Sequence, residues 1–98
     1  MTRAEALAAL RAAEPELRAM GVVSLSLFGS TARDEAGPDS DVDVVARLDD
    51  DRVRTLLDQA RVTDRFGALL GVKVDLVSEG GIKPRFRARV EREQVHVF

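Results

Sequence analysis

The sequence predicts a single α/β (α+β) domain over residues 1–98, built as one small sheet carrying helices. Segments of helical periodicity alternate with short runs of β-forming residues, in the order helix, strand, helix, strand, helix, strand, helix. A length of 98 residues suits one domain with one small core. The composition, 45% apolar and 33% charged, is that of a globular chain rather than a disordered or fibrous one.

Each element has its own signal. Thr2-Arg3-Ala4-Glu5 fits a capping box, and Leu7, Leu10, Leu17 and Met20 then recur at helical spacing. Pro15 inside that run predicts a kink or a restart, and Gly21 a stop. Val22–Phe28 reads as a strand, with Val23, Leu25 and Leu27 alternating with Ser24 and Ser26. Gly29 breaks it, a short helical turn is expected from Ser30, and Gly37–Ser40 is a loop. Asp41–Leu48 predicts a second strand, with Val42 and Val44 facing away from Asp41 and Asp43. The 12 residues between these strands suit either a helical crossover or a long hairpin-like loop. Asp49-Asp50-Asp51 predicts a helix start, followed by Val53, Leu56, Leu57 and Ala60 at helical spacing. Val62 and Thr63 weaken continuity, so Asp64 is expected to cap a second helix through Leu70, stopped by Gly71. Val72–Val77 predicts a third strand with Val72, Val74 and Leu76 on one face. A last helix carries the stripe Ile82, Phe86 and Val90, with Pro84 in its first turn, and Val95–Phe98 predicts a short edge strand.

Several function classes are excluded by composition. The chain has no cysteine, so it holds no disulfide, thiolate metal site or cysteine nucleophile. Its one histidine, His96, argues against a Ser-His-Asp triad or a multi-histidine zinc site, and reads as a structural or surface residue. No apolar run approaches the roughly 18 residues of a membrane span. No signal peptide is evident at Met1–Glu5, so a cytoplasmic location is expected. A net charge of −2 indicates no general affinity for nucleic acid. Charge is unevenly spread, however. Residues 34–51 hold eight acidic groups against Arg47, whereas Lys83, Arg85, Arg87, Arg89 and Arg92 face only Glu91 between Lys83 and Arg92. That basic helix reads first as a solvated face around its apolar stripe, and otherwise as a surface for phosphates, an acidic partner or RNA. The four phenylalanines, Phe28, Phe66, Phe86 and Phe98, read as core or edge residues and form no stacking platform.

The chemistry concentrates between Phe28 and Val44. Asp41 and Asp43 stand two apart on a strand, so both carboxylates share one face, with Cα atoms about 7 Å apart. Two such charges repel unless a cation lies between them, and oxygen-only ligands suit Mg²⁺ or Mn²⁺ rather than zinc. A third carboxylate, Asp75, interrupts the apolar run Val74-Asp75-Leu76-Val77. Set beside the first two on a neighbouring strand, it would complete a divalent-metal site for phosphoryl transfer. Gly29-Ser30 follows an apolar strand, where glycine lets a phosphate approach the backbone and the first helical turn offers N–H donors. Arg33 is within reach of a phosphate or a local carboxylate. Taken singly, each feature has a plain structural reading: an Asp pair facing water, or a glycine turn with a serine cap. Together they are what nucleotidyl transfer needs.

These residues resemble the nucleotidyltransferases of the DNA polymerase β superfamily, whose signature is Gly-Ser, a spacer, then Asp-x-Asp. Leu27-Phe28-Gly29-Ser30-Thr31-Ala32-Arg33-Asp34-Glu35, Ser40-Asp41-Val42-Asp43 and Val74-Asp75-Leu76-Val77 are similar to the minimal nucleotidyltransferase (MNT) family over nearly the whole chain. The resemblance implies a small mixed β-sheet flanked by helices, a polymerase-β palm-like fold. It implies that Asp41, Asp43 and Asp75 hold Mg²⁺, that Gly29 and Ser30 hold nucleotide phosphates, and that Asp75 also serves as general base. Arg33 would have a phosphate-binding or structural role. MNT proteins are commonly antitoxins paired with a helical HEPN toxin, to which they transfer AMP from ATP onto a tyrosine. This chain has no tyrosine of its own, which fits a target in trans. One departure is Asp34, where the family usually has glycine. Aspartate tolerates φ > 0 better than most residues, and it is expected to add negative charge near the phosphates. Two other readings stay open: a non-catalytic module that neutralises a toxin by occlusion, and a small-molecule nucleotidyltransferase.

Overall fold

A computed structural model describes residues Met1–Phe98. The first helix, α1 (Arg3–Ala12), opens on the expected capping box. Thr2 Oγ1 accepts from the Glu5 N–H at 3.1 Å, and Glu5 Oε1 accepts from the Thr2 N–H at 3.0 Å. Pro15 then forces a restart: α2 (Glu14–Ala19) carries it in the first turn, where its missing N–H costs no helical bond.

Strand β1 (Val22–Phe28) follows, with one difference from the predicted alternation. The pairing register shifts between Val22 and Ser24. That irregularity drops Val22 into the core at 1% exposure and turns Val23 outward at 41%. A single helical turn, α3 (Gly29–Ala32), leads through the loop to β2 (Val42–Leu48), which pairs antiparallel with β1. The connection is thus the hairpin-like one.

The acidic run at 49–51 does not start a helix. The Asp49 carboxylate instead accepts from the Asp51 N–H at 2.9 Å and its carbonyl from the Val53 N–H at 2.8 Å, closing a turn. Helix α4 (Leu56–Leu70) begins later, on a second capping box between Thr55 and Asp58. It runs unbroken, with no new cap at Asp64. Its phase is set by Val62, Phe66 and Leu70, all buried, which leaves Leu56 85% and Leu57 63% exposed. Burial of that stripe outweighs the weak helix preference of Val62 and Thr63. Gly71, at φ 69°, ends the helix in the left-handed region.

Strand β3 (Val74–Ser78) pairs parallel with β2. A 3₁₀ turn at Glu79–Gly81 leads to α5 (Pro84–Glu93) and the edge strand β4 (Val95–His96), shorter than the expected 95–98. The sheet order is β3-β2-β1-β4, with parallel and antiparallel pairs, so the sheet is mixed and helices flank it as expected. One face packs Leu25, Leu27, Val42, Val44 and Ala46 against Leu10, Leu17, Val62 and Phe66 of α1, α2 and α4. The opposite face is covered by α5 and the 3₁₀ connection before it, where Val45 meets Ile82 and Val90 with Phe28, Val77 and Phe86 beside them. That second, part-open face carries the polar chemistry.

Candidate active site

Strand pairing brings the site residues together. Phe28 of β1 is the register partner of Asp43 on β2, and Asp43 is the partner of Asp75 on β3. Opposed residues share a sheet face, so Phe28, Asp43 and Asp75 form one row on the side covered by α5. Asp75 is exposed there, as a carboxylate on a solvated face should be. Asp41 lies just before β2, two residues from Asp43, and is exposed.

Gly29 closes the row from β1. Its φ is 71°, and a Cβ built on it would fall 2.5 Å from Asp43 Oδ2. Glycine is needed for both reasons: the left-handed backbone and the approach of a carboxylate to the Cα. Ser30 follows in the first turn of α3, whose N–H groups have no earlier helical carbonyl to bond.

The electrostatics of Asp43 tie the cluster together. Burial pushes its carboxyl above the ordinary carboxylate value, the charges of Asp75 and Asp41 push the same way, and Arg33 opposes them. Arg33 sits at the end of α3 with its Nε 3.1 Å from Glu35 Oε2, so it is shared between a local pair and the field at Asp43. Asp41 is drawn outward by Lys73, whose Nζ lies 3.7 Å from Asp41 Oδ2. Lys73 was not legible as a neighbour of Asp41. Its place becomes clear only once Val42 is known to pair with Val74, one residue after each.

Asp41, Asp43 and Asp75 do not close into a compact ligand cluster. The donor set still fits a hard divalent cation: all three side chains offer carboxylate oxygen, and a cation would relieve the like-charge repulsion of Asp75 and Asp41 on Asp43.

Asp34 adopts φ 59°, the conformation that favours glycine at this position. Its carboxylate is engaged by α1. Oδ1 accepts from the Arg3 N–H at 2.9 Å at the start of α1, while Arg3 Nη1 donates to the Ala32 carbonyl at 3.2 Å. That carboxylate ties α1 to the α3 turn.

The sequence profile of the nucleotidyltransferase domain matches residues 10–96. The chain is 38% identical over 98 residues to the protein adenylyltransferase MntA of Thermococcus cleftensis, covering 99% of this chain and 97% of that protein. A solved structure assigned to the minimal nucleotidyltransferases superposes with a TM-score of 0.79 at 46% identity, over 97% of this chain and 95% of the other. A chain from a toxin–antitoxin structure with AMP-PNP shares the fold at a TM-score of 0.74 and 18% identity, over 90% of this chain and 72% of that one. With Asp43 and Asp75 side by side on one sheet face, Gly29 against Asp43, and these likenesses spanning nearly every residue, the chain belongs to the nucleotidyltransferase domain family and is a nucleotidyltransferase of the minimal type.

Proposed function

We propose that residues 1–98 act as one domain that transfers AMP from ATP to a hydroxyl of a partner toxin, a tyrosine of a HEPN-type protein, and so serve as its antitoxin. The observation that carries this reading is the row in which Asp43 is flanked by Asp75 on one side and Gly29 on the other. The adenylyltransferase name of the Thermococcus cleftensis relative and the toxin–antitoxin context of the structural neighbours support the choice of acceptor.

Asp41, Asp43 and Asp75 would hold Mg²⁺, or Mn²⁺ in its place. That metal would neutralise charge on the triphosphate and polarise the reacting oxygens. The backbone at Gly29 leaves room for the phosphates, and the Ser30 hydroxyl and first-turn N–H groups donate to them. Arg33 adds positive charge. Asp75, the most exposed side of the row, accepts the proton of the acceptor hydroxyl. The acceptor oxygen bonds to the α-phosphorus as the bond to the pyrophosphate oxygen breaks, and pyrophosphate leaves.

The test is a transfer assay with α-phosphate-labelled ATP, Mg²⁺ and the protein encoded next to this one, run on wild type and Asp41→Ala/Asp43→Ala. Label on the partner that disappears in the double variant supports the reading. A stable complex without label in either protein would instead establish neutralisation by occlusion. Label on a small molecule but not on protein would establish a small-molecule transferase.

A further inference from the structure

The basic helix α5 crosses the same sheet face as the carboxylate row, and one of its arginines stands over the row's β1 end. The helix is located by an edge-to-face pair: the Phe28 and Phe86 ring centroids are 5.4 Å apart at 83°. Arg89 lies three residues beyond Phe86, on the same flank of the helix. Its guanidinium carbon is 5.8 Å from the Phe28 ring centroid. Phe28 is the register partner of Asp43 and the residue directly before Gly29-Ser30. The cation thus lies against the residue that leads into the α3 turn.

Arg89 is held lightly. Its Nε meets Glu93 Oε2 at 3.3 Å, an i,i+4 pair in which the Arg89 side chain is 55% exposed. An exposed pair of that kind exchanges readily for a better anion. The Nη groups remain to form a fork, the geometry that suits phosphate oxygens. A triphosphate would bring several negative charges beside the two carboxylates of the row, Asp43 and Asp75, with Asp41 two residues away. Arg33, the one cation acting on Asp43, is already paired with Glu35. Arg89 offers a second guanidinium at the Phe28 end of the row, beside Arg33 and the metal that the carboxylates would hold.

We propose that Arg89 binds the β- and γ-phosphates of the nucleotide and holds the departing pyrophosphate, an assignment that rests on the nucleotidyl-transfer reading above. Its ordinary contacts, the Phe28 ring and Glu93, then serve as its resting place before the nucleotide enters.

The test is a titration of the full chain with ATP, pyrophosphate and AMP in the presence of Mg²⁺, for wild type, Arg89→Ala, Arg89→Lys and Lys83→Ala. Arg89→Ala is expected to weaken ATP and pyrophosphate about tenfold, the loss expected for one charge-assisted contact, and to leave AMP within about twofold. Arg89→Lys keeps the charge and the helix and is expected to fall between the two, since it lacks the fork. Lys83→Ala removes the same unit of charge from the start of the helix and is expected to match wild type. Unchanged ATP affinity in Arg89→Ala overturns the assignment while leaving the transfer reading intact. So does an equal loss in Lys83→Ala, which would mean a diffuse field, or an equal loss for AMP, which would mean a packing role at Phe28. Wild-type protein that binds no ATP overturns the transfer reading, and this assignment with it.

Discussion

A Cβ placed on Gly29 would lie 2.5 Å from Asp43 Oδ2 and 3.4 Å from its Cγ. Glycine at this position therefore makes room for the protein's own carboxylate. Gly29→Ala adds two costs: a side chain at φ 71° and an overlap with Asp43. The first destabilises the turn by about 1–3 kcal/mol. The second displaces the carboxylate at the centre of the row. Transfer is expected to fall at least about tenfold, since sub-ångström displacement of a positioned group readily costs that much. Side-by-side urea unfolding and transfer rates check this, and a wild-type rate in Gly29→Ala would separate the turn from the reacting centre.

Asp34 separates backbone tolerance from hydrogen bonding. It carries φ 59° and accepts the Arg3 N–H at 2.9 Å. Asp34→Gly relieves the backbone but loses the acceptor, Asp34→Asn keeps both features, and Asp34→Ala loses both. Stability is expected to rank aspartate and asparagine first, glycine next and alanine last, with the acceptor worth about 1 kcal/mol. Because the carboxylate faces α1, Asp34→Asn should leave ATP affinity unchanged. Tighter binding in that variant would mean its charge reaches the phosphates after all.

What the sequence made legible was whatever its local spacing decides. The Thr2–Glu5 capping box, the restart at Pro15, the stop at Gly71 and the strand at Val22–Phe28 depend on residues within a few positions of one another. The signature residues could be read in the same way. Their assembly could not, because Asp43 meets Asp75 only through the parallel β2–β3 pairing. The later start of α4 was hidden because an aspartate run serves a helix N-terminus or a turn equally well, and the turn at Asp49–Val53 takes it. The outward Val23 depends on a register shift that alternation alone does not show.

The Thr55–Asp58 capping box makes α4 sensitive to acid. Asp58 Oδ2 accepts from the Arg54 and Thr55 N–H groups at 3.0 and 3.1 Å. Those backbone bonds, first from Arg54 and then from Thr55, hold its carboxyl below the ordinary value. A carboxyl lowered in the folded state adds stability above its unfolded pKa and loses it as pH falls through the folded one. Wild type is therefore expected to exceed Asp58→Asn in urea midpoint near neutral pH, with the gap narrowing as the pH falls below the ordinary carboxylate value. A gap that stays constant with pH would assign the difference to shape rather than charge.

Thr31 is fully buried beside the proposed phosphate turn, and its Oγ1 has no hydrogen-bond partner. A hydroxyl removed from water without compensation costs free energy that an isosteric methyl does not. Thr31→Val is expected to stabilise the fold by about 1 kcal/mol. Thermal melts check it, and a lower melting temperature would mean that the hydroxyl is bonded in solution.

Asp43 sets stability against function. Burial and the neighbouring charges of Asp75 and Asp41 all disfavour its ionised form, and only Arg33 opposes them. Removing that charge should relieve the row. Asp43→Asn is expected to melt higher than wild type in EDTA, where nothing offsets the repulsion. Adding Mg²⁺ reverses the order. Wild type gains RT ln(1 + [Mg²⁺]/Kd), about 2.7 kcal/mol at a hundredfold excess over Kd. In a domain of this size that raises the melting temperature by roughly 10 °C or more. Asp43→Asn, short of one carboxylate, gains little and loses transfer. The crossing of the two stabilities as Mg²⁺ is added is the diagnostic result, because a carboxylate kept only for structure would not make its removal stabilising without metal and costly with it. Equal Mg²⁺ stabilisation of both proteins would place the metal elsewhere.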